Sequence, residues 1–361
     1  MPSPPARQSP MPERSATPPL TPRDREILKD IVQTYILSGE PVSSRAVARH
    51  EQHGVSAATI RNVMADLEEL GYLEQPHSSA GRVPSSAGYH LYIESLMEDP
   101  ALPPAERRLI DDALQAGGEP ERMVSSTPQL LSALSSQIGI VVTPAIGETR
   151  LRAVDFVPLS GRKVLCVVVS EGGFVENKLI EIPEQLSREK LVEISNYLTR
   201  HFAGLTLRQV RDRLIALMAE QQAEVGELLG QAILLARRGL EPSSGPEVLF
   251  EGTAAVLAHP ELSSIERVRR LLDLFADRER LVTLLSRCIE GSGVRVLIGP
   301  ESDLTSDLGF SLVTRGFQTA DGSRGALAVF GPSRMEYRRV IPLVEYLGDR
   351  LSEALEQSFS R

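Results

Sequence analysis

Residues 55–84, VSAATIRNVMADLEELGYLEQPHSSAGRVP, decide how this chain is read. Ile60, Val63, Met64 and Leu67 fall at i, i+3, i+4 and i+7, the spacing that gathers apolar side chains on one face of a helix. Ala57, Ala58, Arg61, Asn62 and Ala65 fall mostly off that stripe. The second face therefore joins small residues, which permit close approach to a groove, to an Arg suited to a guanine edge and an Asn suited to an adenine edge. Thr59 adds a hydroxyl and a methyl. These residues sit in the early turns, where recognition helices read bases, whereas the acids Asp66, Glu68 and Glu69 come later. Ser56 is the expected N-cap and Gly71 the stop.

Upstream, Thr21-Pro22-Arg23-Asp24 opens a helix with a capping hydroxyl, Pro at the first helical position and an acid at the third. Ile27, Leu28, Ile31, Val32, Tyr35 and Ile36 give it one apolar stripe, and Ser38 to Pro41 ends it. Ser43 or Ser44 caps a short second helix carrying Arg45, and His53-Gly54-Val55 is read as a turn. Downstream, strands at 72–75 and 82–84 flank the small-residue turn from Pro76 to Gly81, and a helix follows over 87–97. Helix, short helix, turn, longer helix and two-stranded ribbon is the order of a winged helix-turn-helix. Arg82, Ser78 and Ser79 in the ribbon suit phosphates or a minor groove, with His77 beside them. The alternative from the residues alone is a small solvated helical domain.

The bulk numbers constrain this reading. The chain has 361 residues, 42% hydrophobic and 24% charged, enough for two or three domains. Its net charge is −9, and residues 21–97 hold seven basic and ten acidic side chains. Any DNA contact must come from local clustering and specific bonds, not from net charge. Cys166 and Cys288 lie in apolar runs and are expected to be buried thiols. The histidines make no ligand spacing with them, so no metal and no cofactor is expected. No run reaches the roughly 18 apolar residues of a membrane helix and no secretory signal is visible, so no membrane association and a cytoplasmic location are expected. There is no GxxxxGK[ST], no GxSxG and no paired Cys/His motif. Gly291-Ser292-Gly293 precedes a strand where a phosphate loop would follow one. Catalysis is not expected.

Residues 1–20 are Pro-rich and expected to be a disordered tail. Residues 99–128 are broken by Pro and Gly, with a helical stretch between the breaks, and are taken as a linker leading to a helix near 129–136. Strand signals follow at 138–142, 150–157, 164–169 and 174–182, then a helix over 188–202, helices across 206–240 and 262–290, strands at 294–298, 311–317 and 325–330, and a last helix over 337–359.

The segments GEPVSSRAVA (39–48) and VSAATIRNVMADLEELGYLEQPHSSAGRVPSSAGYHLYIESLM (55–97), with the acidic aliphatic remainder, resemble the HrcA family of bacterial heat-inducible transcription repressors over nearly all of 21–360; the Pro-rich tail departs from the family pattern. The resemblance implies an α+β multidomain protein: a winged helix-turn-helix DNA-binding domain at 21–98, then a GAF-like α+β domain at 129–204 and 266–361, interrupted by a helical dimerisation insert at 205–265. It implies a homodimer on the inverted repeat called CIRCE, upstream of chaperone operons, with the chaperonin GroEL keeping the repressor active. Leu214, Leu217, Val225, Leu228 and Leu229 are apolar positions for the insert's interface or its core. The expected DNA contacts are Ser43, Ser44, Arg45, Ser56, Ala57, Ala58, Thr59, Arg61, Asn62, His77, Ser79 and Arg82. The rival reading is a winged-helix repressor that senses a small molecule through its GAF-like domain.

Overall fold

The computed structural model describes residues 20–49, 56–78, 80–97, 101–220, 227–240, 246–257, 259–289, 293–301 and 309–359. The expected tail up to residue 19, the turn at 53–55, Ser79, Val225 and the pair Gly291-Ser292 lie outside them. The chain divides into two compact units, Met1–Glu98 and Asp99–Arg361.

In the first unit α1 (Pro22–Ser38) starts as the residues dictate. The Asp24 amide donates to the Thr21 hydroxyl at 3.3 Å, and the Asp24 carboxylate accepts from the Thr21 amide at 3.0 Å. Gly39, at φ 69°, closes the helix in the left-handed conformation. Then come α2 (Ser44–Ala48), α3 (Ala57–Glu69), β1 (Leu73–Glu74), β2 (Val83–Pro84) and α4 (Ser86–Leu91), the last running into a π turn at Tyr92–Leu96. Ile27, Leu28 and Ile31 of α1 and Ile60 and Leu67 of α3 have no exposed surface, and the two helices pack against each other. β1 and β2 pair antiparallel, Leu73 opposite Pro84 and Glu74 opposite Val83. A third chain joins this ribbon: Val42 and Arg82 exchange both backbone hydrogen bonds at 2.8 Å. That pairing brings the connection between α1 and α2 against the ribbon, so close at Gly81 that a Cβ would lie 2.4 Å from the Val42 carbonyl oxygen.

The second unit opens with α5 (Pro104–Gly117) and α6 (Pro120–Ser135), where a linker was expected. Pro104 and Pro120 occupy first-turn positions, where a missing N–H costs nothing, so they begin helices and do not break them. β3 (Ile138–Val142), β4 (Leu151–Pro158), β5 (Lys163–Ser170), β6 (Val175–Glu181), α7 (Arg188–Phe202), α8 (Leu207–Glu220), α9 (Glu227–Gly239), β7 (Val248–Glu251), α10 (Thr253–Leu257), α11 (Ile265–Ala276), α12 (Arg278–Ile289), β8 (Arg295–Ile298), β9 (Phe310–Gln318), β10 (Arg324–Pro332) and α13 (Tyr337–Phe359) follow.

The strands sort into two sheets. One is five-stranded and antiparallel in the order β7-β3-β10-β9-β8. Its β3 and β10 strands pack on α6 and α12, and β9 on α13 and α12. Every residue of β3 is buried, which accounts for its unbroken apolar run. The other sheet is three-stranded, β4-β5-β6, with α7 packed on β4 and α9 on β6 and α7. Its separate core runs from Leu151 to Leu240 and includes Phe156, Val168, Leu198, Val210 and Leu214.

This arrangement corrects the expected boundaries. The chain leaves the five-stranded sheet after β3 and returns to it at β7, which pairs with β3 with Val142 opposite Val248. At that exit Thr143 donates its amide to Glu247 O, and the Glu247 amide donates to the Thr143 hydroxyl, both at 2.9 Å. The interruption therefore spans β4 to α9 and is a sheet with helices, not the helical 205–265. Asp321, in the β9–β10 turn, ties the two layers: its carboxylate accepts from the Arg150 amide at 3.0 Å and from the Ser323 amide at 3.1 Å. Burial works against that charge, yet these bonds and the Thr319 and Ser323 hydroxyls outweigh it and hold its pKa below the usual carboxylate range.

Leu214 is 3% exposed and belongs to the module's own core; the side chains of Leu217, Leu228 and Leu229 lie outside what is described. Cys166 is a free buried thiol, as expected, and burial pushes its pKa up to about 12; the Cys288 side chain is not described. No described helix is long and apolar enough to cross a membrane.

Gly81→Ala is predicted to destabilise the first unit by about 1–3 kcal/mol, the usual cost of overpacking, seen as a lowered unfolding midpoint in denaturant. An unchanged midpoint would mean that the ribbon does not pack on Val42 as described.

Candidate nucleic-acid interface

The N-terminal unit offers one helix with two chemically distinct sides. Ile60, Val63, Met64 and Leu67 of α3 are buried. Ala58, Arg61, Asn62 and Ala65 are exposed, and Ala57 is half-buried. Ser56 caps the helix by accepting the Thr59 amide at 3.2 Å, and the two hydroxyls lie 3.1 Å apart. The early turns thus present small side chains, one guanidinium and one carboxamide beside backbone N–H groups that carry the positive end of the helix dipole. Asp66 and Glu69 are exposed farther along.

On α2, Ser43 is exposed and caps through the Ala46 amide at 3.2 Å, and Arg45 is exposed. Ser44 was expected among the phosphate contacts, but its 8% exposure places it in the packing of the short helix. Among the described residues no ion pair engages Arg45, Arg49 or Arg61, and all three are exposed.

The turn between β1 and β2 is strapped by Gln75, whose side-chain amide donates to the carbonyls of Ser78 and Ala80, both at 3.1 Å. His77 and Ser78 are exposed at its tip. Arg82 differs from the other cations. Its guanidinium forms an ion pair with Glu68 of α3 at 2.8 Å, its side chain is only 20% exposed, and its Nε is buried. The sequence reading missed three features here: the Gln75 strap, the Val42 pairing and the acid that holds Arg82. Only Gln75, set beside Pro76 in a turn, left a visible signal. Among the described residues no group of His, Cys, Asp or Glu is arranged to hold a metal ion.

Comparisons agree with this geometry. The profile described as winged helix-turn-helix transcription repressor, HrcA DNA-binding, matches residues 19–96, and that of the HrcA protein C terminal domain matches 121–341. The heat-inducible transcription repressor HrcA of Geobacter sulfurreducens is 39% identical over 335 residues, covering 92% of this chain and 98% of that protein. Its namesake in Xylella fastidiosa is 36% identical over 345 residues, covering 95% and 98%. A crystal structure at 2.2 Å resolution, described as a hypothetical protein, matches with a TM-score of 0.55 at 26% identity, covering 94% of this chain and 98% of the other. The relatives are named as repressors and the winged helix is a DNA-binding one, so the chain is not an enzyme. A two-faced α3, a paired ribbon and matches spanning both units together place the chain in the HrcA family of heat-inducible, DNA-binding transcription repressors.

Proposed function

We propose that this chain represses heat-shock chaperone operons by binding the CIRCE inverted repeat as a homodimer, and that GroEL keeps it in the binding-competent form. The observation that carries the reading is the outer face of α3, where Ala58, Arg61 and Asn62 stand exposed just beyond the Ser56 cap. In this reading Ala57, Ala58, Thr59, Arg61 and Asn62 face the major groove, Arg61 bidentate to a guanine and Asn62 to an adenine. Ser43, Arg45 and Ser56 position phosphates, and His77 and Ser79 serve the wing. Heat draws the chaperonin to unfolded chains, the active repressor falls and the operons open. The test is a titration at fixed salt of a CIRCE duplex and a scrambled duplex, with and without GroEL. Preferential binding that GroEL strengthens is expected, and Arg61→Ala should cost about 1–3 kcal/mol of it. Equal, salt-labile binding to both duplexes would refute the operator.

An inverted repeat asks for a two-fold protein, and the module spanning β4 to α9 has a face for it. On the side of β4-β5-β6 away from its core, Val157, Leu165 and Leu179 line up across the strands, as do Ala153, Val169 and Val175. Val157, Val175 and Leu179 are 39%, 45% and 57% exposed, large values for apolar side chains in a sheet. The β4 edge is already covered, because Thr199 and Ser195 of α7 accept the Val154 and Phe156 amides at 3.1 Å. Strand addition at β4 is therefore closed, and the reading places self-association on the face. Leu179→Lys is predicted to convert dimer to monomer in analytical ultracentrifugation and to weaken duplex binding. A variant that stays dimeric would move the interface elsewhere.

One feature favours the second reading, a repressor released by a small ligand. A cavity of about 480 Å3 lies between α6, the β3–β7 exit and the β5–β6 hairpin, walled by Val124, Val168, Phe174 and Leu249 with Arg122 and Glu176 at its rim. Its size falls in the range of small-molecule sites. A compound that raises the unfolding temperature and also frees the duplex would favour this reading over GroEL control.

A further inference from the structure

Arg82 is the basic residue of the wing, and a phosphate contact is the role its position suggests. Three observations give it another. Its backbone is held by the paired hydrogen bonds with Val42. Its guanidinium is held by Glu68, and the side chain is mostly covered, in contrast to the exposed Arg45, Arg49 and Arg61. Glu68 lies seven residues after Arg61, two helical turns on, which is the same side of α3. An unpaired carboxylate there would repel a phosphate chain lying along the helix.

We propose that Arg82 is a positioning residue for DNA binding and not a DNA contact. It clamps the wing to the recognition helix through Glu68 and neutralises the acid that flanks the base-reading face. Backbone pairing fixes β2 to β1 and to Val42, while the Arg82–Glu68 pair fixes the ribbon to α3 itself. Loosening it lets the wing and the early turns of α3 address the duplex independently, which weakens binding that needs both.

The inference rests on the DNA-binding reading, and salt dependence separates the two. Each phosphate neutralised contributes about one to the slope of log affinity against log salt. Wild type, Arg82→Gln, Glu68→Gln and the double variant are titrated on the CIRCE and scrambled duplexes across a salt series. The expected result is that each single variant weakens specific binding about two- to five-fold, the range a partly exposed ion pair supplies. The Arg82→Gln slope equals that of wild type, and the double variant is no weaker than Arg82→Gln alone, because the two residues act as one unit. A slope reduced by about one in Arg82→Gln, with losses that add in the double variant, would overturn the proposal and restore a phosphate contact. If Arg82→Gln does not fold, Glu68→Gln decides alone: weakening despite removal of a negative charge supports the clamp, and tightening overturns it. Wild type that binds both duplexes equally removes CIRCE as the operator but leaves the slope comparison intact on the scrambled duplex.

Discussion

The burial of one stripe of α3 against α1 underlies everything else in the DNA-binding unit. Ile60, Val63, Met64 and Leu67 can be removed from water only by turning Ala58, Arg61, Asn62 and Ala65 outward, because the two sets alternate around a single helix. The groove-facing residues are therefore set by the same packing that gives the unit its stability, and replacing a fully buried Ile or Leu of the stripe with Ala would cost about 2–5 kcal/mol. Ser56 fixes where the helix begins, and Gly71, at φ 82°, fixes where it turns into the ribbon.

The second unit solves a different problem. Its five-stranded sheet is covered by helices on both sides, so β3 is buried along its whole length and β10 from Gly325 onward. The three-stranded sheet is covered on one side, so its strands alternate. The chain enters and leaves that second sheet at one place, between the neighbouring strands β3 and β7, an economical way to graft a module onto a closed core. Asp321 and the Thr143–Glu247 pair hold the graft at its base, while its apolar face stays open. A module held at one base and open on one face suits a surface that self-associates.

Much of this was legible in the sequence. The α3 stripe, the Thr21 and Ser43 caps, the helix over Arg188–Phe202 and the helix over Tyr337–Phe359 follow from periodicity and capping residues alone. What failed needed information that local pattern does not carry. The strands over 151–181 are expected in the same domain as Ile138–Val142, because a strand signal does not say which strand it pairs with. The difference was nonetheless written in LRAVDFVP and VENKLIE, which carry charged residues inside the strand where IGIVV has none. The Pro and Gly content of 99–128 suggests a linker, although Pro104 and Pro120 at first-turn positions start helices. The strand at Val248–Glu251 was missed because four residues give too short a period. At the site, Arg82 looked like the other arginines until the fold brought Glu68 to it across fourteen residues.

The central claim is that the early turns of α3 read base edges in the major groove. The most direct measurement compares the affinity of wild-type protein and of Arg61→Ala for the operator duplex and for the same duplex with guanine replaced by 7-deazaguanine, which removes the N7 acceptor. The account predicts that wild type loses about 1–3 kcal/mol on the substituted duplex, while Arg61→Ala binds both duplexes alike. Equal binding of the two duplexes by wild type, or an undiminished loss in the variant, would contradict it.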